Sequence, residues 1–105
     1  TALADVAGGA AGPAVLSLLP SRPNPASGPT TIDFALPQSG RARLEVFDAS
    51  GRLVRTLLDG PLSAGDHRAS WDGDDEVGRP APSGLYYYRL SAGDNSQRRT
   101  LVLMR

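Results

Sequence analysis

The chain of 105 residues carries eleven basic and eleven acidic side chains, so the net positive field that draws proteins to nucleic acid or to anionic membrane surfaces is missing. It has no cysteine, which excludes a disulfide framework and thiolate metal sites and leaves stability to burial. The length suits one core, because two smaller ones would each be marginal, and no apolar run approaches the roughly 20 residues of a membrane-spanning helix.

Thr1 to Ala14, TALADVAGGAAGPA, is rich in alanine and glycine and shows no sustained helical stripe, so residues 1–14 are expected to form a flexible linker or arm and residues 15–105 the domain. The start at Thr1 suits a processed product or a piece of a longer protein. From Val15 onward short apolar stretches alternate with turn residues about every ten positions, the spacing of a β-sandwich. The first is AVLSLLP, ended by Pro20. In the stiff lead-in SRPNPASGP, Pro23 and Pro25 push Arg22 and Asn24 toward extended backbone. TTIDFALP then alternates cleanly, with Ile32, Phe34 and Leu36 on one face.

RARLEVFDASGRLVRTLL reads as two strands joined by a turn. Leu44 and Val46 point inward from the first, Val54 and either Leu57 or Leu58 from the second, and Gly51 supplies the positive φ of the connection. A second turn, DGPLSAG, leads into AGDHRASW, which places His67, Ala69 and Trp71 on one face. After an acidic loop, GLYYYRLSA is the strongest strand signal, with Tyr86, Tyr88 and Leu90 toward the core and Tyr87 facing out with Arg89. GDNS reverses into QRRTLVLM, whose blurred alternation fits either a strand buried on both sides or an edge strand. Seven strands without a helix predict an all-β fold, an Ig-like (fibronectin III-like) antiparallel β-sandwich, in which Trp71 and the tyrosine strand fill the centre.

The acidic stretch Trp71 to Gly84 raises the question of calcium. Counted from Asp72, the carboxylates Asp72, Asp74 and Glu76 fall at ligand positions one, three and five, but Val77 stands where the sharp-turn glycine is required and Ser83 where a bidentate glutamate is required. Three oxygens make at most a weak site, and the favoured reading is a turn whose carboxylates cap backbone amides. His67, the lone histidine, could join a hydrolytic triad only with Ser63 or Ser70 and Asp66 or Asp72, and neighbouring strand residues face opposite ways. The acidic residues supply no converging pair for glycoside hydrolysis. A tyrosine platform for sugars fails on the same alternation, and Arg98 with Arg99 reads as a solvated edge. No catalysis and no cofactor are expected.

RPNPASGPTTIDFALP, LEVFDASGRLVRTLLDGPLSAGDHRASWDG, DEVGRPAPSGLYYYRL and RTLVLMR together resemble the Ig-like domain of the flagellar hook-capping type. The same pattern is similar to the C-terminal, type A sorting domain of the type IX secretion system. The residues that carry the resemblance are Pro23, Asn24, Pro25, Gly51, the Trp71-Asp72-Gly73 turn, Gly84 with Tyr86, and the terminal Arg105. The chain departs from the family in having Ala26 where an aromatic residue follows Pro-Asn-Pro, and in lacking the long N-terminal assembly region of a hook cap. The resemblance implies a non-catalytic C-terminal module of an exported bacterial protein, located extracellularly or at the cell surface and acting in secretion sorting or surface attachment. Its partners would be export machinery, a cell-surface component or copies of itself, with no nucleic acid and no membrane insertion. A self-assembling structural subunit that pairs strands with its neighbours is the alternative expectation, and a carbohydrate-binding module the third.

Overall fold

A computed structural model describes residues 15–105, and the arm expected over residues 1–14 lies outside the described residues. Seven strands follow one another: β1 Ser17–Leu18, β2 Thr30–Leu36, β3 Gly40–Asp48, β4 Leu53–Leu62, β5 Gly65–Trp71, β6 Gly84–Ala92 and β7 Asn95–Leu103. Every strand pairing is antiparallel, giving a three-stranded sheet in the order β1-β2-β5 and a four-stranded sheet in the order β4-β3-β6-β7. The described residues contain no helix, and the architecture is the expected all-β sandwich.

The core follows from the two-residue period of the strands. Ile32, Phe34 and Leu36 of β2 and Trp71 of β5 are buried against Leu44 and Val46 of β3, Tyr86, Tyr88 and Leu90 of β6, and Leu101 and Leu103 of β7. Each fully buried aliphatic side chain stabilises the fold by about 2 kcal/mol. Trp71 meets Tyr86 edge-on, with ring centroids 5.4 Å apart, across the two sheets. The polar tips of the core aromatics all find acceptors: Trp71 Nε1 donates to the Asp74 carbonyl (2.8 Å), Tyr86 Oη to Pro82 (2.5 Å) and Tyr88 Oη to Leu19 (2.8 Å).

Three details differ from the sequence reading or sharpen it. β4 continues through Asp59, Gly60 and Pro61 to Leu62, so the chain reverses at Ser63-Ala64 and not across the whole DGPLSAG segment. Pro61 is tolerated because β4 is an edge strand and its missing N–H breaks no ladder on the outer side. Register shifts between Leu44 and Glu45 and between Val46 and Phe47 interrupt strict alternation, so that Leu57 and Leu58 both pack on the core. β7 is an edge strand with only its final part buried: Leu101 and Leu103 lie inside, Val102 is half-buried, and Asn95 to Thr100 are exposed.

Candidate functional site

The acidic loop from Asp72 to Ser83 is a pair of turns folded against the edge of β4. Asp72 Oδ1 accepts from the backbone N–H of Asp74 (2.9 Å), and Glu76 Oε1 accepts from the N–H of Thr56 on β4 (2.6 Å). Arg55 enters between them, 3.7 Å from Asp72 and 3.9 Å from Glu76, and donates to the Asp75 carbonyl. Asp74 faces Arg105 instead (3.9 Å). Asp72, Asp74 and Glu76 therefore do not converge on a common point. A guanidinium stands where the weak calcium candidate required a cation, and among the described residues no cluster of three acidic or imidazole groups is placed to hold a metal.

A repeated five-residue device shapes this loop and the β3–β4 connection. In Asp48-Ala49-Ser50-Gly51-Arg52 the Asp48 carboxylate accepts from the N–H groups of Ser50 and Arg52, while Gly51 N–H bonds the Asp48 carbonyl at a φ of 91°. Asp75-Glu76-Val77-Gly78-Arg79 repeats this bond for bond, with Asp75 accepting from Val77 and Arg79. In both, the final arginine returns to the first aspartate, at 3.5 Å and 3.7 Å. The Ser50 hydroxyl first of all holds the Asp48 carboxyl below the usual carboxylate range, and the Arg79 backbone N–H does so for Asp75. The shared string Asp-x-x-Gly-Arg is an internal repeat readable in the sequence, obscured because Glu76 of the second copy also falls in the Asp72, Asp74, Glu76 ligand spacing.

The remaining candidate chemistries also come apart. His67 stacks on Phe34 at 5.4 Å, and its Nε2 bonds the Ser63 carbonyl at 2.7 Å, which leaves it without a nucleophile or an orienting carboxylate. Tyr87 faces away from Tyr86 and Tyr88 and stacks on Phe47 at 5.0 Å. Arg89 lies over Phe47 and Arg98 over Tyr87, at 4.9 Å and 5.5 Å, so the outer face of the four-stranded sheet carries an aromatic pair clasped between two guanidinium groups. Sequence alternation placed Tyr87 and Arg89 outward, and the same period, with Leu44 and Val46 inward, turns Phe47 outward too; what the sequence did not show is the pairing that sets Phe47 directly opposite Tyr87.

Of the residues singled out by the resemblance, Gly51 lies apart in the β3–β4 turn, and most of the others gather near the end of β7. The peptide bonds before Pro23 and Pro25 are cis, and Asn24 between them reaches β7, its Oδ1 accepting from Val102 N–H (2.9 Å). Ala26 pairs alongside, donating to the Val102 carbonyl and accepting from Met104 N–H. Ala26, which stands where the resemblance implied an aromatic residue, is wholly buried beside Leu103, with a relative exposure of 0%. Arg105 turns back onto the loop, donating to the carbonyls of Gly73 and Ala81 and, through its backbone N–H, to Ser83 Oγ. Gly84 opens β6. At the other margin Gln97 imitates a strand, its amide bonding Leu18 N–H (3.0 Å) and the Leu16 carbonyl (2.7 Å), while Arg99 holds the Leu18 carbonyl.

Comparison with known proteins places this geometry. A family model described as the FlgD Ig-like domain matches residues 24–96. The basal-body rod modification protein FlgD of Salmonella typhimurium is 41% identical over 49 residues, which cover 47% of this chain and 21% of that protein. The chain thus spans about a fifth of the length of the curated relatives it matches. Among solved structures, FlgD from Xanthomonas campestris is 27% identical with a TM-score of 0.58 over 83% of this chain and 65% of the other. Dimeric latent PorU from Porphyromonas gingivalis superposes with a TM-score of 0.66 over 88% of this chain and 10% of its own, at 19% identity, a likeness of fold alone.

Proposed function

This chain belongs to the FlgD Ig-like domain family, and from that premise we propose that it is a non-catalytic docking module of an exported bacterial protein. It holds or delivers that protein at the cell surface, in sorting or attachment, through contacts of its folded outer faces. The observation that carries the reading is the partial closure of the sheet margins by the chain's own groups: Glu76 on β4, Gln97 and Arg99 on β1, and Asn24 with Ala26 on the end of β7, which leaves the β7 edge before Val102 exposed. A body finished in this way meets its partner through its preformed faces and that remaining edge. The Xanthomonas relative is described in terms of the hook capping essential for flagellar assembly.

The test is delivery of an exported reporter with and without the intact chain fused to it, in a bacterium that makes the parent protein. Reporter held at the surface only when fused supports docking, and equal release of both into the medium overturns it. Removing Gln97 to Arg105 is the wrong probe, because it takes Leu101 and Leu103 out of the core and reports on folding. A second reading, self-assembly by strand pairing, is favoured by the stretch of β7 edge before Val102. Light scattering separates the two, since a docking module stays monomeric.

A further inference from the structure

We infer that the groove beside β7 is a binding site for an extended, acidic segment of a partner polypeptide, which adds to the sheet as a further strand. The inference rests on the reading of the chain as a docking module and names the chemistry of its partner.

The groove, of about 670 Å³, is lined by Pro20, Asn24, Tyr87, Arg98, Arg99 and Thr100. Its charge is unusual for this molecule. Every arginine except Arg98 and Arg99 lies within ion-pairing distance of a carboxylate among the described residues, and those two, successive residues of β7, both line the groove. Arg98 is occupied only by the face of Tyr87, and Arg99 only by the Leu18 carbonyl. Two guanidinium groups side by side in sequence, with no carboxylate in reach among the described residues, suit carboxylates from outside, which arginine binds in two-point geometry.

The backbone supplies the second requirement. Val102 turns its N–H and C=O away from β6, toward Asn24 and Ala26. Strand alternation gives the backbone of Thr100, Arg98 and Ser96 the same outward direction. Of these, among the described residues, only the Thr100 carbonyl has a partner, the Asn24 amide at 3.5 Å. An unpaired, exposed edge beside two unneutralised cations suits a peptide, whose main chain satisfies the edge while a glutamate or aspartate opposite Arg98 completes a cross-strand ion pair. A saccharide could use Tyr87 and the arginines but would leave the edge unpaired.

The test titrates the full chain with a synthetic octapeptide of alternating glutamate and valine, read by the amide resonances of Ser96, Arg98 and Thr100. Binding should perturb and protect those amides and weaken with added salt. It should fall about tenfold or more with Arg98→Glu, which disturbs no ion pair of the fold. Thr100→Pro should abolish it with the charges intact, since that N–H serves no bond of the sheet. Unchanged affinity in both folded variants overturns the inference, as does absence of binding at millimolar peptide. Binding of a sulfated glycan in the groove, with none of the peptide, overturns it too. Surface delivery of the fused reporter that survives Arg98→Glu and Thr100→Pro overturns the groove as the docking face while leaving the docking function standing.

Discussion

The guanidinium of Arg105 fills the space that a side chain at position 73 would need: its Nη2 lies 2.6 Å from where a Cβ on Gly73 would stand, and it donates to the Gly73 carbonyl. Gly73 also has a φ of 86°, open to glycine and costly for other residues. Gly73→Ala should therefore destabilise the fold by about 2–3 kcal/mol, part from the left-handed backbone and part from expelling Arg105. Arg105→Ala should cost about 1–2 kcal/mol. Because the second change frees the space the first one invades, the double variant should lose less than the sum. Urea unfolding of the four proteins checks this, and strict additivity would sink it. Gly28→Ala, whose Cβ would meet nothing within 4 Å, should stay within about 0.5 kcal/mol of the parent.

Trp71 joins the two layers and the loop at once, through its edge contact with Tyr86 and its N–H bond to Asp74. Trp71→Phe removes the donor, leaves the Asp74 carbonyl without it and opens a void at the centre. A loss of about 2–4 kcal/mol is expected, read as a fall in melting temperature of roughly 10 °C or more. A fall of about a degree would show that the loop is held without the indole.

Much of the fold was legible because a half-buried strand writes its orientation into alternate residues. Ile32, Phe34 and Leu36, or Tyr86, Tyr88 and Leu90, need no more than that period to declare the core. Where the register shifts, at Leu57 and Leu58, the period no longer reports the face, and the outer aromatic pair stayed hidden because it depends on which residues of β3 and β6 stand opposite each other. The acidic loop was legible as a turn but not as a cover for β4, since the Glu76 to Thr56 bond spans 20 residues and depends on how two elements meet. The same limit hid the closure of β1 by Gln97, a contact between residues 79 and 81 positions apart.

Glu76 caps a strand edge, and that role and a metal-ligand role give opposite results. Glu76→Ala should speed hydrogen exchange at Thr56 about tenfold, the worth of one charge-assisted bond of about 1.4 kcal/mol, with little change in global stability. Calcium at millimolar concentration should leave the melting temperature of the parent chain unchanged. A site with a Kd a hundredfold lower would add about 2.7 kcal/mol, a shift no scan would miss. A clear rise with calcium that disappears in Glu76→Ala would restore the metal reading.

Stability should fall on both flanks of the neutral range for different reasons. Asp33 is held below the usual carboxylate range, first by its hydrogen bond from Arg68 at 2.8 Å and also by Arg22, and Asp48 and Asp75 are lowered by their turn bonds. In the unfolded chain these groups titrate near about 3.9. The unfolded state therefore takes up protons first as pH falls, and their contribution, fully present above about pH 4, is lost as pH drops through the lower folded values. Tyr86 and Tyr88 run the other way, because burial raises both above their ordinary value near 10. Their contribution is complete below about pH 10 and is lost as pH rises through the raised folded values. Urea midpoints measured from pH 2 to 11 should show a plateau with an acid and an alkaline limb. Asp33→Asn should flatten the acid limb and lower stability at pH 7 while converging with the parent at pH 2. An acid limb that keeps its full slope when Asp33, Asp48 and Asp75 are all replaced by asparagine would assign acid unfolding to other groups.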